Sequence, residues 1–237
     1  MNKKNVWFIT AKTNLHVGNE NSSSYGLIDL AVQRNVTTGL PCINSSSLKG
    51  ALNEYAAKEA KLESKELIRI FGSDKVKVNE KSRNSETRKG QYTFFDANIL
   101  FLPVQSDTNL YELVTCDTVL NRFFKQIELL TGIIITENDL QNFKYTKKLN
   151  GKDITEEIFR DLCSDDNLPI IARNVLENGE SKNLWYEQVV PAETVFYTII
   201  DDKEDDTLAD KIGAKDAIVQ IGANATIGYG YCKFNNL

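Results

Sequence analysis

Hydrophobic residues along this chain recur in two rhythms, one matching strands and the other matching helices. Residues 6–13 are dense in β-branched and aromatic side chains and stop at Asn14, which predicts a buried first strand. A polar loop follows at 18–26. Leu48, Ala51, Leu52, Tyr55 and Ala56 then return at the i, i+3, i+4, i+7 spacing of one helical face, behind Ser45, Ser46 and Ser47 as a serine N-cap. A shorter helical run over 65–71 stops at Gly72. Residues 92–104 read as one or two strands, and Asp117 opens a second amphipathic helix carrying Val119, Leu120, Phe123, Phe124 and Ile127. The stretch 184–200 is strand-like on both sides of Pro191. Residues 217–221 and 229–234 are expected to close the chain as strands around a turn at 222–228. Strands and helices interleave without the regular beat of a doubly wound sheet, so the pattern predicts an antiparallel α+β sandwich with long insertions. No repeat or long linker divides the chain, and a single domain over 1–237 is expected.

Composition narrows the class without naming a chemistry. With 237 residues, 41% hydrophobic and 26% charged, the chain can bury a substantial core, and whole-chain disorder, collagen and coiled coil are excluded. The longest apolar runs, such as 99–104, fall far short of the ~20 residues that cross a bilayer. The apolar stretch near the start is too short for a secretory signal, so a soluble, cytoplasmic protein is expected. Four cysteines stand singly with no C-x-x-C, and with one histidine they make no zinc set; they read as small buried apolar residues.

Charge is unevenly placed. The net charge of −5 argues against a surface that coats nucleic acid everywhere, yet residues 75–89 hold Lys75, Lys77, Lys81, Arg83, Arg88 and Lys89 against Glu80 and Glu86. That stretch reads as a basic loop. Residues 201–210 reverse the balance and read as a solvated acidic turn, because the acids lack calcium-loop spacing.

Several residues carry candidate chemistry, each beside a plainer reading. His16 is the only histidine and lies in a turn beside Gly18. Asp29 sits between Ile28 and Leu30, an apolar setting in which an acid needs a partner, with Arg34 the nearest, or a catalytic purpose. Ser46, Ser47 and Lys49 open the first helix, where free amides and a cation suit a phosphate; a serine cap with a solvated lysine is the plain alternative. Glu187 follows Trp185 and Tyr186 and reads as one exposed acid on a strand. Residues 228–234, Gly-Tyr-Gly-Tyr-Cys-Lys-Phe, partly match the RNA-recognition-motif strand whose aromatics stack bases on an open sheet, although a glycine turn with core aromatics is the better reading of them. Gly222, Gly228 and Gly230 permit close backbone approach.

The order of these features resembles the RAMP superfamily of CRISPR proteins, and within it the backbone-subunit family of type III-B effector complexes. The matching stretches are Asn14-Leu15-His16-Val17-Gly18, Ile28-Asp29-Leu30 with Gln33-Arg34, Thr38-Gly39-Leu40-Pro41, Ser46-Ser47-Leu48-Lys49-Gly50 and Ile70-Phe71-Gly72. Phe95-Asp96-Ala97, Leu102-Pro103-Val104, Leu184-Trp185-Tyr186-Glu187 with Val190-Pro191, and Ile221-Gly222 through Gly228-Tyr229-Gly230 continue it nearly to the end. The resemblance implies a modified RRM or ferredoxin-like palm with a fingers-like insertion at about 73–90 and a thumb β-hairpin at about 170–183. It also implies an endoribonuclease subunit that stacks in several copies with other subunits along a guide RNA (crRNA) and cuts target RNA at regular intervals. By the same mapping Asp29, His16 and Glu187 are catalytic. Arg34, Ser46, Ser47, Lys49, Arg173, Gly228 and Gly230 contact RNA, and Asp29 meets Mg²⁺ or another divalent cation. A guide scaffold without chemistry, and a stand-alone α+β protein-interaction domain, are the alternatives.

Overall fold

Trp7 and Phe8 are neighbours on one strand, so the pleat sends their side chains to opposite faces of the sheet, and both are buried. That strand must therefore be covered on two sides. In the computed structural model, which describes residues 4–18, 28–73, 88–107, 109–178, 180–203 and 205–237, both covers are present. Most of the fingers-like insertion expected at 73–90 and of the basic loop, residues 74–87, lies outside the described residues.

The chain runs β1 (Lys4–Ala11), β2 (Cys42–Ile43), α1 (Ser45–Lys58), α2 (Ser64–Phe71), β3 (Thr93–Phe94), β4 (Ala97–Val104), β5 (Glu112–Val114) and α3 (Asp117–Thr131). A 3₁₀ helix (Glu137–Phe143) precedes β6 (Lys148–Leu149), β7 (Lys152–Asp153), α4 (Glu156–Leu162), β8 (Ile170–Glu177) and β9 (Glu180–Gln188). The remainder is β10 (Val195–Asp201), α5 (Thr207–Ile212), β11 (Val219–Gln220), a 3₁₀ turn (Ala225–Ile227) and β12 (Tyr231–Asn236).

The main sheet has the order β11-β12-β1-β10-β4-β2, with β3 beside β10 and β5 beside β4. Its central pairings are antiparallel, with Phe8 opposite Tyr197 and Ile9 opposite Phe234. Taken with α1 between β1 and β4 and α5 between β10 and β12, the four strands β12-β1-β10-β4 form a βαββαβ unit in the spatial order 4-1-3-2. This is the ferredoxin-like arrangement. The long excursion between β4 and β10 carries α3, α4 and the separate β8–β9 hairpin.

Aromatic contacts show what covers each face. On one side Trp7 meets Phe234 edge to face at 6.2 Å, and its ring lies so close to Gly213, at the end of α5, that a Cβ there would stand 3.2 Å away. On the other, Phe8 meets Phe123 of α3 at 5.9 Å and Phe143 at 4.9 Å, while Phe123 also meets Tyr197 at 4.7 Å. The face that an RNA recognition motif leaves open for bases is thus sealed here by the insertion, and Phe234 is a core residue. Of the two readings of residues 228–234, the glycine turn with core aromatics holds, with Cys232 and Phe234 buried.

Two further expectations change. The serines do not cap α1: its N-cap is Asn44, whose side chain makes no capping bond, and the Ser45 amide donates to Asp96 Oδ1 at 2.7 Å. Nor is 201–210 a solvated acidic turn. Asp201 and Asp202 are buried, the first paired with Lys203 at 2.6 Å and the second accepting from Asn5; Asp205 pairs with Arg69; and α5 begins at Thr207. Acids brought inside with cations and amides escape the penalty of isolated burial. All four cysteines are buried, and burial pushes the Cys42 thiol up to about 11 and those of Cys163 and Cys232 up to about 12. Thiols so disfavoured as thiolates are poor nucleophiles. Among the described residues no helix is long and apolar enough to cross a membrane.

If α3 seals the second face, Phe123→Ala should lower unfolding free energy by about 3–5 kcal/mol in urea titration. A loss below about 1 kcal/mol would mean that this face carries little of the core.

Candidate functional site

Hairpin β8–β9 leaves the sheet as a two-stranded arm over Ile170–Gln188, longer than the 170–183 expected, and its root lies against three loops. Along one side of that root runs the stretch carrying Asp29. The amides of Asp29 and Leu30 both donate to the Tyr186 carbonyl, at 3.0 and 3.1 Å, and Gln188 returns a bond to the Leu30 carbonyl at 2.9 Å. Leu30 pairs with Glu187 in a parallel bridge. This short ladder explains the apolar, strand-like flanks of Asp29: the segment is a strand fragment pinned to β9. The Tyr186 amide donates to Asp29 Oδ2 at 2.7 Å, a charge-assisted bond that fixes an otherwise exposed carboxylate at the foot of the arm.

Arg34 is not the partner of Asp29. Its guanidinium donates to Asp165 Oδ1 at 2.6 and 3.1 Å, to the Gly39 carbonyl at 2.9 Å and to the Cys163 carbonyl at 2.7 Å, tying the 34–41 loop to the end of α4. The Asp29–Arg34 ion pair considered from sequence is therefore replaced by a backbone contact.

Behind the root lies a buried polar cluster. His16, 3% exposed, donates from Nδ1 to the Gln188 carbonyl at 2.7 Å, which leaves Nε2 without its hydrogen in the neutral ring. Gly18 stands beside Nε2, where a Cβ would lie 3.0 Å away. Glu187 is 2% exposed, so the exposed-acid reading is corrected. Its carboxylate accepts from Arg173 Nε at 3.2 Å and from Asn224 Nδ2, and stands 3.5 Å from His16 Nδ1. Arg173 also stacks over Tyr229 at 4.9 Å from the ring centre. Sequence reading passed over Asn224. Its signal was an asparagine in a glycine-flanked turn, a residue type that tolerates the φ of +67° it adopts.

The glycines divide. Gly222 and Gly230 sit with positive φ against the protein's own backbone: a Cβ would come 2.2 Å from the His16 carbonyl oxygen at the first and 2.0 Å from that of Ile221 at the second. Gly230 is buried, so its close approach is to Ile221. Gly228 is exposed, with φ +84° and open space around it. At the head of α1, Ser46 is exposed and Lys49 half-buried, while Ser47 Oγ accepts from Gln33 Nε2 at 3.0 Å. Gln33 also donates to the Gly18 carbonyl at 3.1 Å and accepts from the Asn44 amide at 2.8 Å. One side chain thus joins the His16 loop, the Asp29 segment and the helix. The structure brings Asp29, His16, Glu187 and Arg173 to one end of the hairpin, with α1 joined to them through Gln33.

The RAMP superfamily model matches residues 8–233. A CRISPR system Cmr endoribonuclease Cmr4 from Pyrococcus furiosus is 30% identical, over 88% of each chain. Among solved structures, oligomeric Cmr4 from Pyrococcus furiosus aligns over 100% of this chain and 99% of its own, at 24% identity and a TM-score of 0.71. A type III-B Cmr-beta complex bound to cognate target RNA contains a chain that aligns over 98% of this one and 96% of its own, at 22% identity and a TM-score of 0.72. With the family model spanning residues 8–233 and a relative 30% identical over 88% of each chain, the chain belongs to the RAMP superfamily.

Proposed function

We propose that this chain is a guide-RNA-binding backbone subunit of a cytoplasmic type III-B CRISPR ribonucleoprotein, stacked in several copies beside other subunits, and that it cleaves complementary target RNA. The observation that carries the chemistry is the exposed Asp29 carboxylate, held by the Tyr186 amide at the foot of the β8–β9 arm. The relative named as an endoribonuclease, and the likeness to a chain of a complex holding cognate target RNA, support the substrate class.

RNA carries its own nucleophile, so geometry is most of the task. In this reading the arm is the thumb. Val175 and Leu184, both exposed on it, suit a wedge between stacked bases. A nucleotide freed from the stack can turn its 2′-hydroxyl in line with the departing 5′-oxygen. Asp29 accepts the hydroxyl proton as the 2′-oxygen bonds to phosphorus, and the 5′-oxygen departs as its own bond to phosphorus breaks, taking a proton from water. The products are a 2′,3′-cyclic phosphate and a 5′-hydroxyl. In this reading Lys49 with Ser46 and Ser47, together with Arg173 and Gly228, contact the guide backbone.

Among the described residues no three His, Cys, Asp or Glu side chains gather to hold a metal. The Asp29 carboxylate would hold a divalent cation together with RNA phosphates, hard oxygen ligands of the kind Mg²⁺ takes. Bound there it would neutralise charge gathering on the phosphate.

Asp29→Asn in the assembled complex should slow target cleavage by about 10²–10⁴-fold while target affinity stays the same. Undiminished cleavage would favour the guide scaffold without chemistry. Lys49→Ala should weaken guide binding and lower the slope of log K against log salt by about one. An unchanged slope would remove Lys49 from the phosphate contacts. Purified complex free of RNA would favour a protein-interaction domain.

A further inference from the structure

The glycine-rich turn at 222–230 has a shape that could admit a phosphate, yet most of its contacts run inward. Gly222 packs on the His16 carbonyl, the Ala223 amide donates to the same oxygen at 2.9 Å, and Gly230 packs on Ile221. The Asn224 carbonyl closes the turn by accepting from the amides of Ile227 and Tyr229, at 3.1 and 3.2 Å. The Asn224 side chain is left to donate to buried Glu187. We propose that this turn positions Asp29, and that Asn224 acts through its bond to Glu187 to fix the strand on which the Asp29 carboxylate is held.

The path is short. Glu187 follows Tyr186, whose amide holds Asp29 Oδ2 and whose carbonyl receives the amides of Asp29 and Leu30. Glu187 itself is the residue that Leu30 bridges. Whatever sets the place of residues 186–188 therefore sets the place of the carboxylate. Arg173 cannot do this alone, because it belongs to the same hairpin and would move with it. Bonds that cross from the palm can. Three such bonds are Asn224 to Glu187, His16 to the Gln188 carbonyl, and the Val32 amide to Gln188 Oε1 at 3.3 Å, while Gln188 Nε2 also donates to Asp165 Oδ1 at 3.1 Å beyond α4. Two of the three come from one unit, since the turn carrying Asn224 is itself built on the His16 carbonyl. A buried carboxylate makes the Asn224 bond worth more than a surface one, because a lost donor there leaves charge poorly matched in a low-dielectric place.

This inference rests on Asp29 as the group that takes the 2′-hydroxyl proton, and its test separates the two ideas. Asn224→Gly removes the side chain while glycine keeps the positive φ without strain. In the full chain assembled with guide and partner subunits, single-turnover target cleavage should fall about tenfold to a hundredfold. Target affinity, its salt slope and guide retention should stay unchanged, and hydrogen exchange at the Tyr186 amide should quicken. In a Glu187→Gln background the same substitution should add no further loss. An unchanged rate with unchanged Tyr186 exchange would overturn the proposal. So would a loss carried by weaker target binding with a shallower salt slope, which would make Asn224 an RNA contact. Asp29→Asn run alongside keeps the failures apart. Persistent cleavage in that variant refutes the base assignment, while Tyr186 exchange still reports on positioning.

Discussion

A carboxylate taken out of water must be met by donors or it destabilises whatever carries it, and in this fold that requirement falls on Glu187. Removing one partner of a buried charge costs about 3–5 kcal/mol in other proteins, far above the worth of an exposed pair. Glu187 is met from the hairpin by Arg173 and from the palm by Asn224, so its burial forces the arm and the palm into one relation. Asp29, whose own amide is a rung of the ladder that runs from Tyr186 to Gln188, inherits its place from that relation. In the proposed function the exposed acid keeps its place because the buried acid on the neighbouring strand is held from both sides.

The second constraint is the doubly covered sheet. A ferredoxin-like palm with four strands has two faces, and Phe8 and Trp7 commit both to the core. The face over Phe8 is filled by Phe123 and Phe143 from the insertion, which closes the surface where related sheets stack bases. In the proposed function, RNA contact therefore falls to the loops and the arm at the edge of the palm. Gln33 then matters beyond its size, since it joins the head of α1 to the Asp29 segment and the His16 loop.

Much of the architecture was legible because it follows from local pattern. The first strand, the helices at 45–58, 64–71 and 117–131, and the closing strands all carry apolar positions at strand or helix period. The motifs also marked Asp29, His16 and Glu187, which the fold brings to one root. What escaped was set by distant partners. Nothing near Asp202 in sequence foretells Asn5 as its partner, and the helix at 207–212 hides in a run of acids that local reading assigns to solvent. Asp96 capping α1, Arg34 choosing Asp165 and Asn224 choosing Glu187 are likewise contacts across 51, 131 and 37 residues. Side chains that satisfy one another over such distances leave no spacing to read.

The central claim is that Asp29 serves an attack by RNA on itself, and the ends of the cut strand test that most directly. Fragments made by the assembled complex from a guide-complementary RNA should end in a 2′,3′-cyclic phosphate, with a 5′-hydroxyl on the neighbouring piece. Fragments ending in a 3′-hydroxyl beside a 5′-phosphate would mean that water, not the ribose, attacks, and would contradict the account.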